Sequence, residues 1–93
     1  MIRSFRETAT ELLWSRKRSR SFDHRIERVA LRNLVMLDAA ETLEDLRVPP
    51  GNRLEALRGD RAGQHSIRSN QQWRICFAWT EAGPADVEIV DRH

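Results

Sequence analysis

The sequence predicts an α+β fold: a small twisted antiparallel sheet with helices packed on one face and an open concave face on the other. Three observations lead there. Residues 73–80 alternate strictly, Trp73, Ile75, Phe77 and Trp79 on one parity and Arg74, Cys76 and Ala78 on the other, which is the period of a strand with one buried face. Clusters of Gly, Asp, Asn and Ser at 59–63 and 70–72 separate runs rich in β-branched and aromatic residues, the signature of hairpins. Upstream, Ile26, Val29, Ala30, Leu34 and Leu37 recur at i, i+3, i+4, i+8 and i+11, the apolar stripe of an amphipathic helix. Helices first and strands afterwards is the order of an α+β layer arrangement.

The elements follow in chain order. Residues 2–5 are expected as a short edge strand. Thr8-x-x-Glu11 reads as a capping box that opens a short helix through Leu12, Leu13 and Trp14. A basic cluster of Arg16, Lys17, Arg18 and Arg20 interrupts it. Asp23 is the expected N-cap of the main helix, which runs to about residue 40, carries Arg25, Arg28 and Arg32 opposite its apolar stripe, and should lie on the aromatic face of the sheet. Thr42-x-x-Asp45 predicts one further helical turn, ended by Pro49-Pro50-Gly51. Strands are expected at 52–58, 64–69 and 73–80, joined by turns at 59–63 and 70–72. Ala82-Gly83-Pro84 reads as the next turn, and 86–91 as a last strand with Val87 and Ile89 on one side. No repeat, low-complexity tract or linker appears, and residues 1–93 read as a single domain.

Length and composition exclude several classes. Ninety-three residues lie near the small end of what folds without staples. Cys76 is the only cysteine, so neither an intramolecular disulfide nor a cysteine-rich zinc site is available, and in mid-strand it reads as a small packing residue. His24, His65 and His93 lack ligand spacing, and no metal or cofactor is expected. The 59–63 segment lacks the lysine and helix of a nucleotide loop and reads as a plain β-turn. No run approaches the ~18 apolar residues of a membrane span. Residues 1–5 lack the apolar core of a signal peptide, so a cytoplasmic protein with no membrane partner is expected. Net charge is +2, and every basic residue except Lys17 is an arginine. The 16–20 cluster contrasts with an acidic one of Asp38, Glu41, Glu44 and Asp45. It reads either as a solvated loop or as a contact surface for a polyanion or an acidic partner.

The arginines suggest phosphate. Within 64–69, Ser66 and Arg68 share one parity, and His65 and Ile67 the other. Antiparallel pairing with 73–80 brings Arg68 and Arg74 to a common polar face, and two guanidiniums on a rigid sheet suit a phosphate. RNA carries its own nucleophile: the 2′-OH attacks the adjacent phosphorus, leaving a cyclic phosphate and a free 5′-OH. A catalyst must orient that attack, take the 2′ proton, offset the charge on phosphate and protonate the leaving oxygen. Arg58, Arg68 and Arg74 are candidate phosphate ligands, and Asp91, His93 and Glu55 candidate proton handlers. Each has an alternative reading: Arg58 as a solvated residue beside a turn, Glu55 as a cross-strand partner for an arginine, Asp91 and His93 as a frayed tail.

Leu57-Arg58-Gly59-Asp60-Arg61-Ala62-Gly63, then Ser66-Ile67-Arg68, Trp73-Arg74-Ile75 and Asp91-Arg92-His93 resemble, over essentially the whole chain, the HigB branch of the RelE-like bacterial toxins. The resemblance implies a RelE-like fold and a metal-independent endoribonuclease. Such an mRNA interferase, the toxin of a type II toxin–antitoxin system, enters the ribosomal A site, cuts messenger RNA there and inhibits translation. The implied partners are the ribosome, mRNA and a small helix-turn-helix, HigA-like antitoxin that also represses the shared promoter. Carried over by position, Arg68 and Arg74 match family arginines at the RNA-binding face. Arg58 stands where a lysine or arginine is usual, and Asp91 and His93 match the ends of a terminal Asp-Tyr-His. The implied catalytic set is Arg68, Arg74, Asp91 and His93, with Arg58, Glu55 and Arg92 at the substrate.

Two positions depart from the family pattern. Arg92 replaces the common tyrosine, and the chain has no tyrosine at all. Glu55 stands where some members carry a histidine that takes part in catalysis. Arginine is no ready acid near neutral pH, so altered proton chemistry is implied. Asp91 and His93 also share the parity of Val87 and Ile89, so reaching the concave face requires a bulge or a departure from the sheet after Ile89. Two other functions stay open on the same scaffold: a ParE-like inhibitor of DNA gyrase that cleaves no RNA, and a catalytically weakened antitoxin-binding corepressor.

Overall fold

The alternating segment becomes the third strand of a four-stranded sheet. A computed structural model describes residues 1–17 and 22–91; Arg18, Arg20, Arg92 and His93 lie outside the described residues. Helix α1 spans Thr8–Trp14 and α2 His24–Ala39. Strands β1 (Glu55–Ala56), β2 (Gln64–Arg68), β3 (Trp73–Thr80) and β4 (Gly83–Asp91) form an antiparallel meander in the order β1-β2-β3-β4. Leu13 of α1 and Ala30, Leu34 and Leu37 of α2 pack with Leu46 against Ile67, Ile75, Phe77, Val87 and Ile89. The helices therefore cover the aromatic face, as the two periodicities require. No helix among the described residues is long and apolar enough to cross a membrane.

Local signals explain most starts and stops. Asp23 caps α2, its Oδ1 accepting from the N–H groups of Arg25 (2.8 Å) and Ile26 (3.1 Å). The Thr42–Asp45 capping box opens a 3-10 turn over Leu43–Arg47. Hydrogen bonds from the Thr42 and Glu41 N–H groups hold the Asp45 carboxyl below its ordinary value. The box expected at Thr8 and Glu11 is absent. Glu7 occupies the N-cap, without a side-chain cap, and Thr8 is already helical. Buried Thr10 instead donates to Glu7 Oε1 (2.7 Å) and accepts from the Ile89 N–H (3.2 Å), tying α1 to β4.

Four other boundaries move. Only Glu55–Ala56 pairs as a strand within 52–58, because Pro50–Asn52 forms a 3-10 turn and Arg53 is left-handed (φ 46). The 59–63 segment is not a plain β-turn but a 3-10 turn over Gly59–Arg61 leading into a turn at Ala62 and Gly63. Strand β4 begins at Gly83, with Thr80 opposite Gly83 and Trp79 opposite Pro84, so the turn falls at Glu81 and Ala82. Gly83 is required there: its φ is +126, and a Cβ would stand 2.5 Å from the Met1 carbonyl oxygen. Residues 2–5 make no strand but one parallel bridge, Phe5 to Val87. It is flanked by hydrogen bonds from Arg3 N to Pro84 O, Val87 N to Ser4 O and Arg6 N to Val87 O.

Candidate functional site

Register builds the site. Arg68 stands directly opposite Arg74 across β2 and β3, Ile67 opposite Ile75 and Ser66 opposite Cys76. The two isoleucines face the helices, so Ser66, Arg68, Arg74 and Cys76 share the other face. The hairpin end that carries the arginines is fixed. Asn70 Oδ1 accepts from the N–H groups of Gln72 and Trp73 (both 2.8 Å), and Arg68 Nε donates to Asn70 O (3.1 Å). From the helix side, Asn33 of α2 donates to Arg68 O (3.2 Å) and Ser69 Oγ (2.9 Å).

Two like charges opposite each other repel, and a guanidinium taken from water needs partners. Arg74, whose side chain is only 7% exposed, has them. Its Nε donates to Ser66 Oγ (2.8 Å), its Nη2 to Arg53 O (2.9 Å), and Glu55 Oε1 lies 3.5 Å from Nη2. Ser66 is fully buried and Arg53 reaches Arg74 through its left-handed turn, so this end of the face is partly roofed rather than open. Glu55, opposite Ser66 in β1, also lines a shallow groove with Ala56, Leu57 and exposed Arg58. Glu55, Arg68 and Arg74 are thus brought together, with Arg58 along the same groove as Glu55.

Asp91 is placed elsewhere. It pairs with Trp73, shares the parity of Ile89, and accepts from Gln72 Nε2 (3.1 Å). Its carboxylate therefore belongs to the helix-bearing face, while Val90 stands beside Arg74. The bulge in β4 comes before Ile89, not after it: 76–78 of β3 oppose 85–88 of β4, with Asp86 at φ 52. Ser66 and Arg53, which fix Arg74, do not stand out in the sequence as its partners. Strand parity already put Ser66 on the right face, whereas nothing in the sequence marks the Arg53 carbonyl.

The arrangement offers two guanidiniums and one carboxylate on a rigid sheet, a geometry suited to a phosphodiester. Comparison with known proteins narrows this. Residues 3–93 match the profile of a family described as the RelE-like toxin of type II toxin–antitoxin system HigB. The chain is 48% identical over 77 residues to Toxin HigB-1 of Vibrio cholerae serotype O1, an alignment covering 83% of this chain and 80% of that one. It is also 40% identical over 52 residues to an uncharacterized protein of Haemophilus influenzae, covering 56% and 52% of the two chains. With the profile spanning nearly its whole length, the chain belongs to the HigB-like family of RelE-like toxins of type II toxin–antitoxin systems.

Proposed function

We propose that this toxin is a ribosome-dependent mRNA endoribonuclease that inhibits translation in the cytoplasm, restrained by a HigA-like helix-turn-helix antitoxin. One observation carries the reading: the cross-strand pair Arg68–Arg74, with the Arg74 guanidinium oriented before any substrate arrives. A preorganised donor pair offsets the charge that develops on phosphorus as the 2′-OH attacks, without reorganising at the moment of reaction. Arg58 extends the grip along the RNA backbone. Glu55, within reach of Arg74, and His93 are the proton carriers in this scheme, one for the 2′-OH and one for the leaving 5′ oxygen. The set is sparse, so the ribosome supplies substrate geometry.

The position of Asp91 on the helix-bearing face favours a second reading, in which the scaffold binds a target such as gyrase without cutting RNA. Incubation of purified protein with translating ribosomes, followed by mapping of mRNA ends, separates the two. Cuts within the A-site codon leaving 5′-OH ends, and slow cutting of naked RNA, are expected. Intact mRNA together with inhibited gyrase supercoiling would establish the ParE-like reading, and no effect on either would leave a corepressor.

A further inference from the structure

A second arginine side chain crosses the same sheet face. Arg61 ends the Gly59–Arg61 turn that follows Arg58. Its Nη1 donates to Gln64 Oε1 on β2 (3.1 Å) and its Nη2 to Glu88 Oε1 on β4 (2.8 Å). Gln64 stands opposite Ala78, and Glu88 opposite Cys76. The guanidinium therefore reaches across β3, over Cys76 and Ala78, to a residue 27 positions away in sequence. The pair is well shielded, with Arg61 32% and Glu88 17% exposed, unlike a solvated surface pair such as Arg47–Glu44. The Glu88 hydrogen bond raises Arg61 above its ordinary value, and burial pushes the Cys76 thiol up. One row along the face, Ser66, opposite Cys76, holds Arg74.

We propose that Arg61 is a positioning residue: its strap to Glu88 holds the Arg58-bearing turn down across the sheet and keeps the Glu55–Arg58 groove aligned with Arg74. The proposal rests on the cleavage reading above. Arg61 itself touches no substrate, because its donors are aimed at Gln64 and Glu88 rather than at the Arg68–Arg74 end of the face. The strap sets the shape of the cleft, and with it the geometry in which RNA meets the fixed guanidiniums.

The chain carries its own reporter, since Cys76 is its only cysteine and is buried beneath the strap. In Arg61→Ala, N-ethylmaleimide labelling of Cys76 under native conditions should accelerate about tenfold or more, with faster amide exchange over 57–63 and an unchanged far-UV spectrum. Cleavage of ribosome-bound mRNA should fall about tenfold in kcat/KM, as expected when a contact group is displaced by a fraction of an ångström or more. The exchanged double variant, Arg61→Glu with Glu88→Arg, should recover slow labelling and most of the cleavage, which lost packing alone would not. Unchanged labelling and exchange in Arg61→Ala overturn the strap. Faster labelling with undiminished cleavage shows that the turn is held but positions nothing, and equally overturns the proposal. Where Arg61→Ala does not fold, Arg61→Gln, which keeps a polar side chain but loses the charge and the length to span β3, gives the same readouts. A wild-type protein that leaves mRNA intact refutes the cleavage reading and the positioning role with it, while labelling still decides whether the strap holds the turn.

Discussion

Arg74 and Glu55 form an unequal ion pair: Nη2 and Oε1 are 3.5 Å apart, the guanidinium is buried, and the carboxylate is about half exposed. The two ends are held differently. Arg74 is fixed by Ser66 Oγ and the Arg53 carbonyl, whereas the Glu55 carboxylate, about half exposed, is the end that solvent reaches. In the proposed reaction a phosphate would therefore displace Glu55 and leave Arg74 where it is.

Arg68 and Arg74 should separate function from stability. The Arg68 side chain is partly exposed, and its Nε holds a turn carbonyl. Arg68→Ala is expected to lower the cleavage rate about a hundredfold, roughly 3 kcal/mol, with a nearly unchanged Tm. Arg74→Ala leaves the buried Ser66 hydroxyl and the Arg53 carbonyl without their donor, so it should also lose about 1–3 kcal/mol of stability. Arg74→Lys keeps the charge but not the fork, and should recover cleavage only in part. Thermal melts beside ribosome-bound cleavage assays check all three, and equal cleavage by Arg68→Ala and wild type would remove Arg68 from the site.

Glu55→His should raise cleavage. It places an imidazole, a stronger base than a carboxylate near neutral pH, beside the fixed guanidinium. The cleavage rate of the variant should acquire a dependence on pH centred below ~6.5, because Arg74 disfavours the charged imidazole. A flat profile between pH 5 and 8 would show that residue 55 handles no proton.

Asp91 and His93 are expected to behave differently, although they lie two residues apart. Asp91 accepts from Gln72 on the helix-bearing face, so Asp91→Asn should change cleavage less than about fivefold and act through the strand end. Deletion of His93, the proposed proton carrier, should suppress cleavage with antitoxin affinity intact. Cleavage assays and titration calorimetry on the two variants decide it, and native-rate cleavage by the truncated protein transfers the proton chemistry to Glu55 or the ribosome.

Antitoxin recognition is expected on the helix side. Exposed Arg25, Arg28 and Arg32 run along α2, and Arg28 lines a groove with Arg16, Lys17, His24, Leu13, Leu31 and one acidic residue, Glu27. Arg28→Glu should weaken antitoxin binding about tenfold, and the association rate should fall with salt. Cleavage should be unaffected, because α2 covers the sheet face opposite Arg68 and Arg74. Surface plasmon resonance at two ionic strengths measures both effects, and a salt-insensitive on-rate would point to an apolar contact.

Strand parity and two of the three expected helix starts, which depend on near neighbours in the chain, are legible in the sequence. A strand's side chains alternate by geometry alone, so the 64–69 and 73–80 segments put Arg68 and Arg74 on one face once they pair, as the observed register does. The Asp23 cap and the Thr42–Asp45 box are likewise settled within four residues. Glu7 holds the cap expected of Thr8, while buried Thr10 accepts from the Ile89 N–H and ties α1 to β4, a contact no local pattern marks. The β4 bulge answers to the Ser4 and Phe5 segment packed on its edge, which no local pattern near Asp86 announces. The Arg53 carbonyl as a partner of Arg74 and the reach of Arg61 to Glu88 are of this second kind. They turn on contacts between residues tens of positions apart, whose energies exist only after the sheet has closed and the helices have covered one face.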